Sequence, residues 1–259
     1  MPLNLPIRDW RGKRVWIIGA SSGIGAALAR KLAASGARLA LSARSADKLA
    51  ALAADCKDAL VLPLDVRDAP ALAAAHQSIR ASWGAIDVAI LNAGTYAPMR
   101  ADQFDLAHMD EHFAVNFHGV TNSLAALLPD FVARAGEHPV IAVVSSVAGF
   151  AGLPKSLAYG PSKAALINLA ETLYLDLAPL GIGITLINPG FVDTPLTKQN
   201  DFKMPALISA DEAAIEIVAG FARGEFEIHF PKRFTRTMKA LRLLPYAAYF
   251  AAVRKSTGL

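Results

Sequence analysis

Tyr159 and Lys163 are the residues of this chain whose types and spacing point most directly to chemistry. Four residues apart on a helix, they lie on one face. A free phenol has a pKa near ~10, too high for proton exchange at neutral pH. A nearby ammonium favours the phenolate and lowers that value, so a Tyr–Lys pair can serve as an acid and base. Alone, the same pair is an ordinary exposed tyrosine and lysine. It has company. Ser146 stands thirteen residues before Tyr159, at the end of the apolar run Val140–Val144. Asn92-Ala93-Gly94 closes another run, Val88–Leu91, and Asn188-Pro189-Gly190 closes Ile184–Ile187. Asn and Gly also end strands for reasons of turn chemistry. Their joint placement is harder to attribute to turns, because α/β sheets bind ligands at the carboxyl ends of their strands.

A second cluster lies near the start. The apolar run Val15–Ile18 leads straight into Gly19-Ala20-Ser21-Ser22-Gly23-Ile24-Gly25 and then a helical stretch. Glycines permit a tight turn and close backbone approach to a phosphate, and a helix N-terminus offers N–H groups and a positive dipole end. A strand, glycine turn and helix in that order suggest a nucleotide pyrophosphate site. The spacing is G-x3-G-x-G, which departs from the G-x-G-x-x-G dinucleotide fingerprint. The same heptapeptide also contains G-x-S-x-G around Ser21, the nucleophile elbow of α/β-hydrolases. Asp193 and His229 follow in the chain order that a hydrolase triad would need. No HGG-type oxyanion motif precedes the turn.

The elements that must position these groups are legible from periodicity. Candidate strands are Val15–Ile18, Arg38–Leu41, Leu60–Pro63, Val88–Leu91, Val140–Val144, Ile184–Ile187 and Glu227–Phe230. Between most of them lie amphipathic stretches: Ala26–Ala34, Ala46–Ala54, Ala69–Ser82, Ala164–Leu177 and Asp211–Ala222. Strand–helix alternation predicts βαβ units and a parallel sheet covered on both faces. The 259 residues are 54% apolar and 19% charged, which excludes disorder and coiled coil. One cysteine, Cys56, excludes an internal disulfide framework and fits a reducing compartment. The N-terminus lacks an apolar signal core and no run is long enough to span a bilayer, so a cytoplasmic location is expected. The net charge of +4 is unevenly placed. Of the 26 basic residues, seven lie from Lys232 onward with no acid among them; the 19 others face all 22 acids, a net −3.

Taken together, these motifs resemble the short-chain dehydrogenase/reductase family over about Arg11 to Thr194. Gly19–Gly25 matches the family's glycine turn, with Ile18 in place of the usual Thr. Asn92-Ala93-Gly94, Ser146, Tyr159 with Lys163, Asn116 and the Pro189-Gly190 pair match its other motifs. The resemblance implies a Rossmann-type, doubly wound α/β fold with a seven-stranded parallel sheet, one catalytic domain over the whole chain, and a homo-oligomer. It also implies roles. Tyr159 would pass a proton to or from the substrate oxygen, which Ser146 would hold. Lys163 would lower the tyrosine pKa and bind the ribose hydroxyls. Asn116 would position a water linking Lys163 to solvent. Gly19, Ser21, Ser22, Gly23, Ile24, Gly25, Asn92, Ala93, Gly94, Pro189, Gly190 and Val192 would border the cofactor. Asp65 and Val66 would contact its adenine, and Thr194 its nicotinamide amide. In this setting Ser21 is a loop residue, and the hydrolase explains none of the other motifs. A binding-only NADP(H) redox sensor would not need the tuned phenol.

The end of the second strand selects the cofactor. NAD sites place an acid there for the ribose 2′-OH. Here Ala43 stands in that place and Arg44 follows, suited to a 2′-phosphate, so NADP(H) is expected over NAD(H). Residues 195–209, rich in Pro, Leu, Phe and Ile, suit a lid over an apolar alcohol or carbonyl substrate. Two further patterns are set aside. His108-Met109-Asp110-Glu111-His112 matches an inverted zinc-protease motif but has no third ligand, and reads as a surface helix. Ser45-Ala46-Asp47-Lys48 matches S-x-x-K, and Ser45 reads better as a helix cap. The tail, 232–259, is a basic amphipathic extension with an aromatic stretch. It suits a membrane interface, a neighbouring subunit or the cover of the substrate pocket, and carries no nucleic-acid recognition motif.

Overall fold

Short apolar runs form seven strands: β1 (Arg14–Ile18), β2 (Arg38–Ser42), β3 (Leu60–Val61), β4 (Val88–Leu91), β5 (Val140–Val144), β6 (Gly183–Pro189) and β7 (Glu227–Phe230). They make one parallel sheet in the order β3-β2-β1-β4-β5-β6-β7. The computed structural model describes residues 2–202 and 204–258. Lys203, inside the expected lid, and Leu259, at the tip of the basic tail, lie outside the described residues, as does Met1. Helices α1 (Gly23–Ala34), α2 (Ala46–Asp55) and α7 (Ala210–Arg223) cover one face; α3 (Ala69–Trp83), α5 (Gly119–Ala133) and α6 (Tyr159–Leu177) cover the other. The alternation within β1 explains why both faces need cover. Val15 and Ile17 join the core with Leu28, Leu32, Leu49 and Phe221. Trp16 and Ile18 join Leu72, Leu127, Phe131 and Leu166 on the opposite side.

Winding reverses between β1 and β4, which opens a crevice at the carboxyl edge of the sheet. Local chemistry sets where the flanking helices begin. Asp68 accepts from the Ala71 N–H at the start of α3, and Ser209 with Glu212 forms a reciprocal capping box on α7. Ser45 occupies the N-cap of α2 but its side chain makes no capping bond, so the expected cap is positional only. Two helix expectations change. α6 begins at Tyr159, five residues before the apolar periodicity does, and this places Tyr159 and Lys163 on successive turns. The segment read as a surface helix around His108–His112 is α4 (Leu106–Phe113), which runs through a π-helical turn, Ala114–His118, into α5. His112 in it is buried rather than exposed. Its polar neighbours break the apolar periodicity, so the long helix left no clear pattern in sequence. After β7 come α8 (Lys232–Arg242) and α9 (Tyr246–Thr257).

Candidate active site

The crevice is built on the β1–α1 turn. Gly19 has φ +93°, and a Cβ there would sit 2.5 Å from the Ala93 nitrogen. A Cβ on Gly25 would sit 2.1 Å from the Gly19 carbonyl oxygen, so neither position admits a side chain. The Gly19 N–H donates to the Ser42 carbonyl at 2.7 Å, and the Asn92 side chain donates to the Gly19 carbonyl at 2.8 Å. Asn92 therefore holds the glycine turn as well as bordering the crevice. Ser22 caps α1 without a side-chain bond, and no acid lies in the first turn. The first N–H groups and the positive dipole end remain available to an anion. The resulting cleft has a volume of about 400 Å³, in the range of small-molecule sites. These features fit a dinucleotide: a cradle that a Cβ would fill, a helix N-terminus for the pyrophosphate, and a cation at the far end.

That cation is Arg44. It lies exposed on the cleft wall just after β2, with no acidic partner among the described residues. Lys48, in the first turn of α2, lines the same cleft and was not anticipated; Arg44 stands outside that helix, so helical spacing gave no signal for the pair. Asp65 and Val66 border the cleft, and Arg67 grips the Asp65 carboxylate at 2.5 Å and holds its pKa low. Ser21, Ser22, Gly23, Ile24, Ala93, Gly94, Pro189, Gly190, Val192 and Thr194 also line it. Of the residues expected at the site, Gly25 and Asn116 stand behind the wall.

Tyr159, Lys163 and Ser146 meet at the other end of the cleft. Ser146 follows β5, and its Oγ accepts from the Ala148 N–H at 3.1 Å. Ser145 Oγ donates to the Lys163 carbonyl at 2.7 Å and fastens α6 to β5. Lys163 Nζ donates to the Val144 carbonyl at 3.0 Å and lies 5.7 Å from the Tyr159 ring centroid. Burial pushes the Lys163 ammonium down to about 8. It pushes the Tyr159 phenol up to about 12, against the opposing hydrogen bonding of Ser146. Lys163 is not among the groups that offset this burial, so the phenol stands above its ordinary value rather than below it as expected. Desolvation disfavours the phenolate more than the surrounding groups favour it.

Asn116 sits in the π-helical turn, a distortion frequent at functional sites. Its Oδ1 accepts from the Thr95 N–H at 2.7 Å; its Nδ2 donates to the Thr95 carbonyl at 3.1 Å and to Ser162 Oγ at 3.0 Å. The side chain thus ties the loop after β4 to α6, beside Lys163. His112 braces the same loop. It accepts from the Ala97 N–H through Nε2 at 3.1 Å, which leaves the proton on Nδ1 to donate to the His108 carbonyl at 2.8 Å. No group of three metal-ligating side chains occurs among the described residues.

Tyr96 was missed by sequence reading. Its ring packs edge-on to Tyr159, with centroids 5.0 Å apart, and its Oη donates to Asn200 Oδ1 at 2.9 Å. Lys155 pairs with Asp201 at 2.6 Å. The segment expected as an apolar lid is therefore held over the site by polar contacts. Its Phe202 does meet Phe191, just before the lid, with ring centroids 5.7 Å apart. The hydrolase alternative fails on geometry. His229 Nδ1 bonds Thr235 Oγ1 at 2.5 Å, and no hydrogen bond among the described residues joins Ser21, Asp193 and His229. Asn188 is also turned away from the site, donating to Glu227 at 2.8 Å across β6 and β7.

A family model described as short chain dehydrogenase matches residues 13–204. An uncharacterized oxidoreductase of Myxococcus xanthus is 35% identical over 92% of this chain and 95% of its own length. A 3-dehydrosphinganine reductase of Arabidopsis thaliana is 36% identical, over 80% of this chain and 62% of its own. Among solved structures, a short-chain dehydrogenase/reductase of Burkholderia phymatum in complex with NAD aligns with a TM-score of 0.82 at 25% identity, covering 90% of this chain and 94% of that one. A short-chain dehydrogenase of Sphingobium yanoikuyae in complex with NADPH aligns at 0.77 with 29% identity, covering 91% and 97%.

Proposed function

Because the chain belongs to the short-chain dehydrogenase/reductase family, we propose that it is an NADP(H)-dependent oxidoreductase that interconverts an apolar alcohol and its ketone or aldehyde. The observation that carries the cofactor choice is Arg44, a cation without an ion pair among the described residues, on the cleft wall where Ala43 stands in place of an acid. A guanidinium can pair bidentately with a 2′-phosphate, and Lys48 adds a second charge at that end. Gly19, Gly23 and the first turn of α1 would hold the pyrophosphate, and Thr194 with Val192 the nicotinamide end.

When bound, the nicotinamide supplies or accepts the hydride. The chain's own residues manage the proton and the oxygen. At neutral pH the Tyr159 phenol is protonated, so in the reductive direction it donates to the substrate oxygen. Ser146 donates a hydrogen bond to that oxygen and fixes its place. Lys163, charged at pH 7, stabilises the phenolate that remains. Asn116 keeps the Thr95 loop and α6 in register around them. An apolar substrate is favoured by Val192, Leu196 and the Phe191–Phe202 pair beside the site. The name of the Arabidopsis relative, a 3-dehydrosphinganine reductase, supports the same class.

The test is NADPH and NADH oxidation across a panel of apolar ketones and aldehydes. A kcat/KM for NADPH at least about tenfold above that for NADH is expected. Preference for NADH would sink the cofactor reading, and no turnover across the panel would sink the reaction.

A further inference from the structure

The basic tail folds as two helices, α8 and α9, and it lies beyond the stretch that matches the family model. α8 is docked by one face. Thr235 and Met238 are buried, and Phe234 packs on Phe191 with centroids 5.5 Å apart. Lys239 pairs with Glu227, and Lys232 with Glu225. α9 is docked through Val253 and Tyr249, whose Oη donates to the Gly152 carbonyl at 2.6 Å in the loop following Ser146. The elbow between the helices faces outward. Of the ten residues 242–251 all but Tyr249 are exposed, and eight of those nine are apolar. Leu243 is 85% exposed, Tyr246 79% and Phe250 52%, and the two aromatic rings stack at 5.7 Å. Arg242 at the elbow and Arg254 and Lys255 just past this ridge are exposed, as are Arg233 and Arg236 further back on α8, and none is in an ion pair among the described residues.

Each half of this pattern restricts what can cover it. An exposed apolar ridge of this extent marks an interaction surface. A second copy meeting it through a two-fold axis would set five cations against five, with no acid after Phe230 to offset them. A nucleic acid would satisfy the cations and stack bases on the aromatics, but would leave Leu243, Leu244 and the exposed alanines without a partner. An anionic bilayer surface satisfies both: the ridge enters the headgroup–acyl boundary while the flanking cations meet lipid phosphates. We propose that the α8–α9 elbow docks this protein on anionic phospholipid membranes, with Leu243, Leu244, Tyr246 and Phe250 inserted at the interface. No described helix is long and apolar enough to cross a membrane, so the contact is interfacial. The elbow is anchored on Phe191 and on the Gly152 loop, which flank the site.

The experiment is co-sedimentation of the full chain with phosphatidylcholine vesicles, with and without about 30% phosphatidylserine. It needs no turnover, so failure of the proposed reaction would not imitate failure of docking. Partitioning onto the anionic vesicles should exceed that onto the neutral ones by about tenfold or more and fall in high salt. The double variant Leu243→Asp/Phe250→Asp, checked for an unchanged melting temperature, should lose about tenfold in binding to the anionic vesicles. Equal pelleting on the two lipids, or undiminished pelleting of the folded variant, would overturn the proposal. So would a fall in the variant's mass by light scattering, which would give the ridge to a second copy. If the variant does not fold, Arg242→Glu/Arg254→Glu/Lys255→Glu carries the same expectation.

Discussion

At the scale of single residues the site separates proton chemistry from cofactor choice. On the proposed reaction, Tyr159→Phe removes the proton donor and should lower kcat by roughly 10²- to 10⁴-fold with the melting temperature unchanged. Ser21→Ala should retain activity, since Ser21 is a cleft-wall residue with no histidine partner. Activity kept in Tyr159→Phe would remove Tyr159 from its role, and activity lost in Ser21→Ala would restore the serine as a nucleophile. The high phenol pKa gives a direction to the pH response. Reduction, which needs the protonated phenol, should be sustained through neutral pH; oxidation, which needs the phenolate, should rise with pH toward about 12. Initial rates in both directions across pH check this. Arg44→Ala should raise KM for NADPH about tenfold with little change for NADH, and adding Lys48→Ala should widen the loss. Steady-state titration of both cofactors decides it.

Elements set how firmly those residues are held. The π-helical turn between α4 and α5 places Asn116 where its amide spans Thr95 and Ser162. Asn116→Ala removes three hydrogen bonds in buried surroundings and should destabilise the fold by about 2–3 kcal/mol. Activity should drop as well, because the loop after β4 and the first turn of α6 lose their shared tie. A thermal melt unchanged from the parent would refute that account. This element was the least legible in sequence. Asn116, His112 and their polar neighbours interrupt the apolar period, and only the folded chain shows that their polar atoms are satisfied by the Thr95–Ala97 loop. The strands, by contrast, read well. Buried on both faces, they must be nearly continuous apolar runs, and β4, β5 and β7 begin and end where those runs do.

For the whole molecule the question is how the added tail is coupled to the sheet. His229 on β7 bonds Thr235 in α8, among Glu225, Glu227, Lys232 and Lys239. Burial, helped by the two lysines, pushes its pKa down from 6.5 to about 4. The fold thus favours the neutral ring. Stability that this contributes is complete above the unfolded value and is lost as pH falls from about 6.5 toward 4. Solvent access screens the charge, so the loss should be on the order of 2 kcal/mol at most. Melting curves at pH 7.5 and 5 should differ less in His229→Gln than in the parent; an identical pH response would exclude His229 as the cause. The charge of +4 is likewise a property of parts. The sheet and its helices are mildly acidic, and the surplus cations gather in the tail from Lys232 onward.

Read by itself, the sequence determined the kind of fold and most residues of the site. A parallel sheet needs apolar strands, a pyrophosphate needs glycines ahead of a helix, and a polar edge needs Asn, Ser and Gly at strand ends. All of these are local requirements, written over a few consecutive residues. Tertiary structure alone decided what depends on neighbours distant in the chain. It set Tyr96 against Tyr159, fastened Asn200 and Asp201 over the cleft, and placed Lys48 beside Arg44. It also reversed the expected shift of the Tyr159 phenol. Desolvation depends on everything packed around a group, and no spacing of residues along the chain records it.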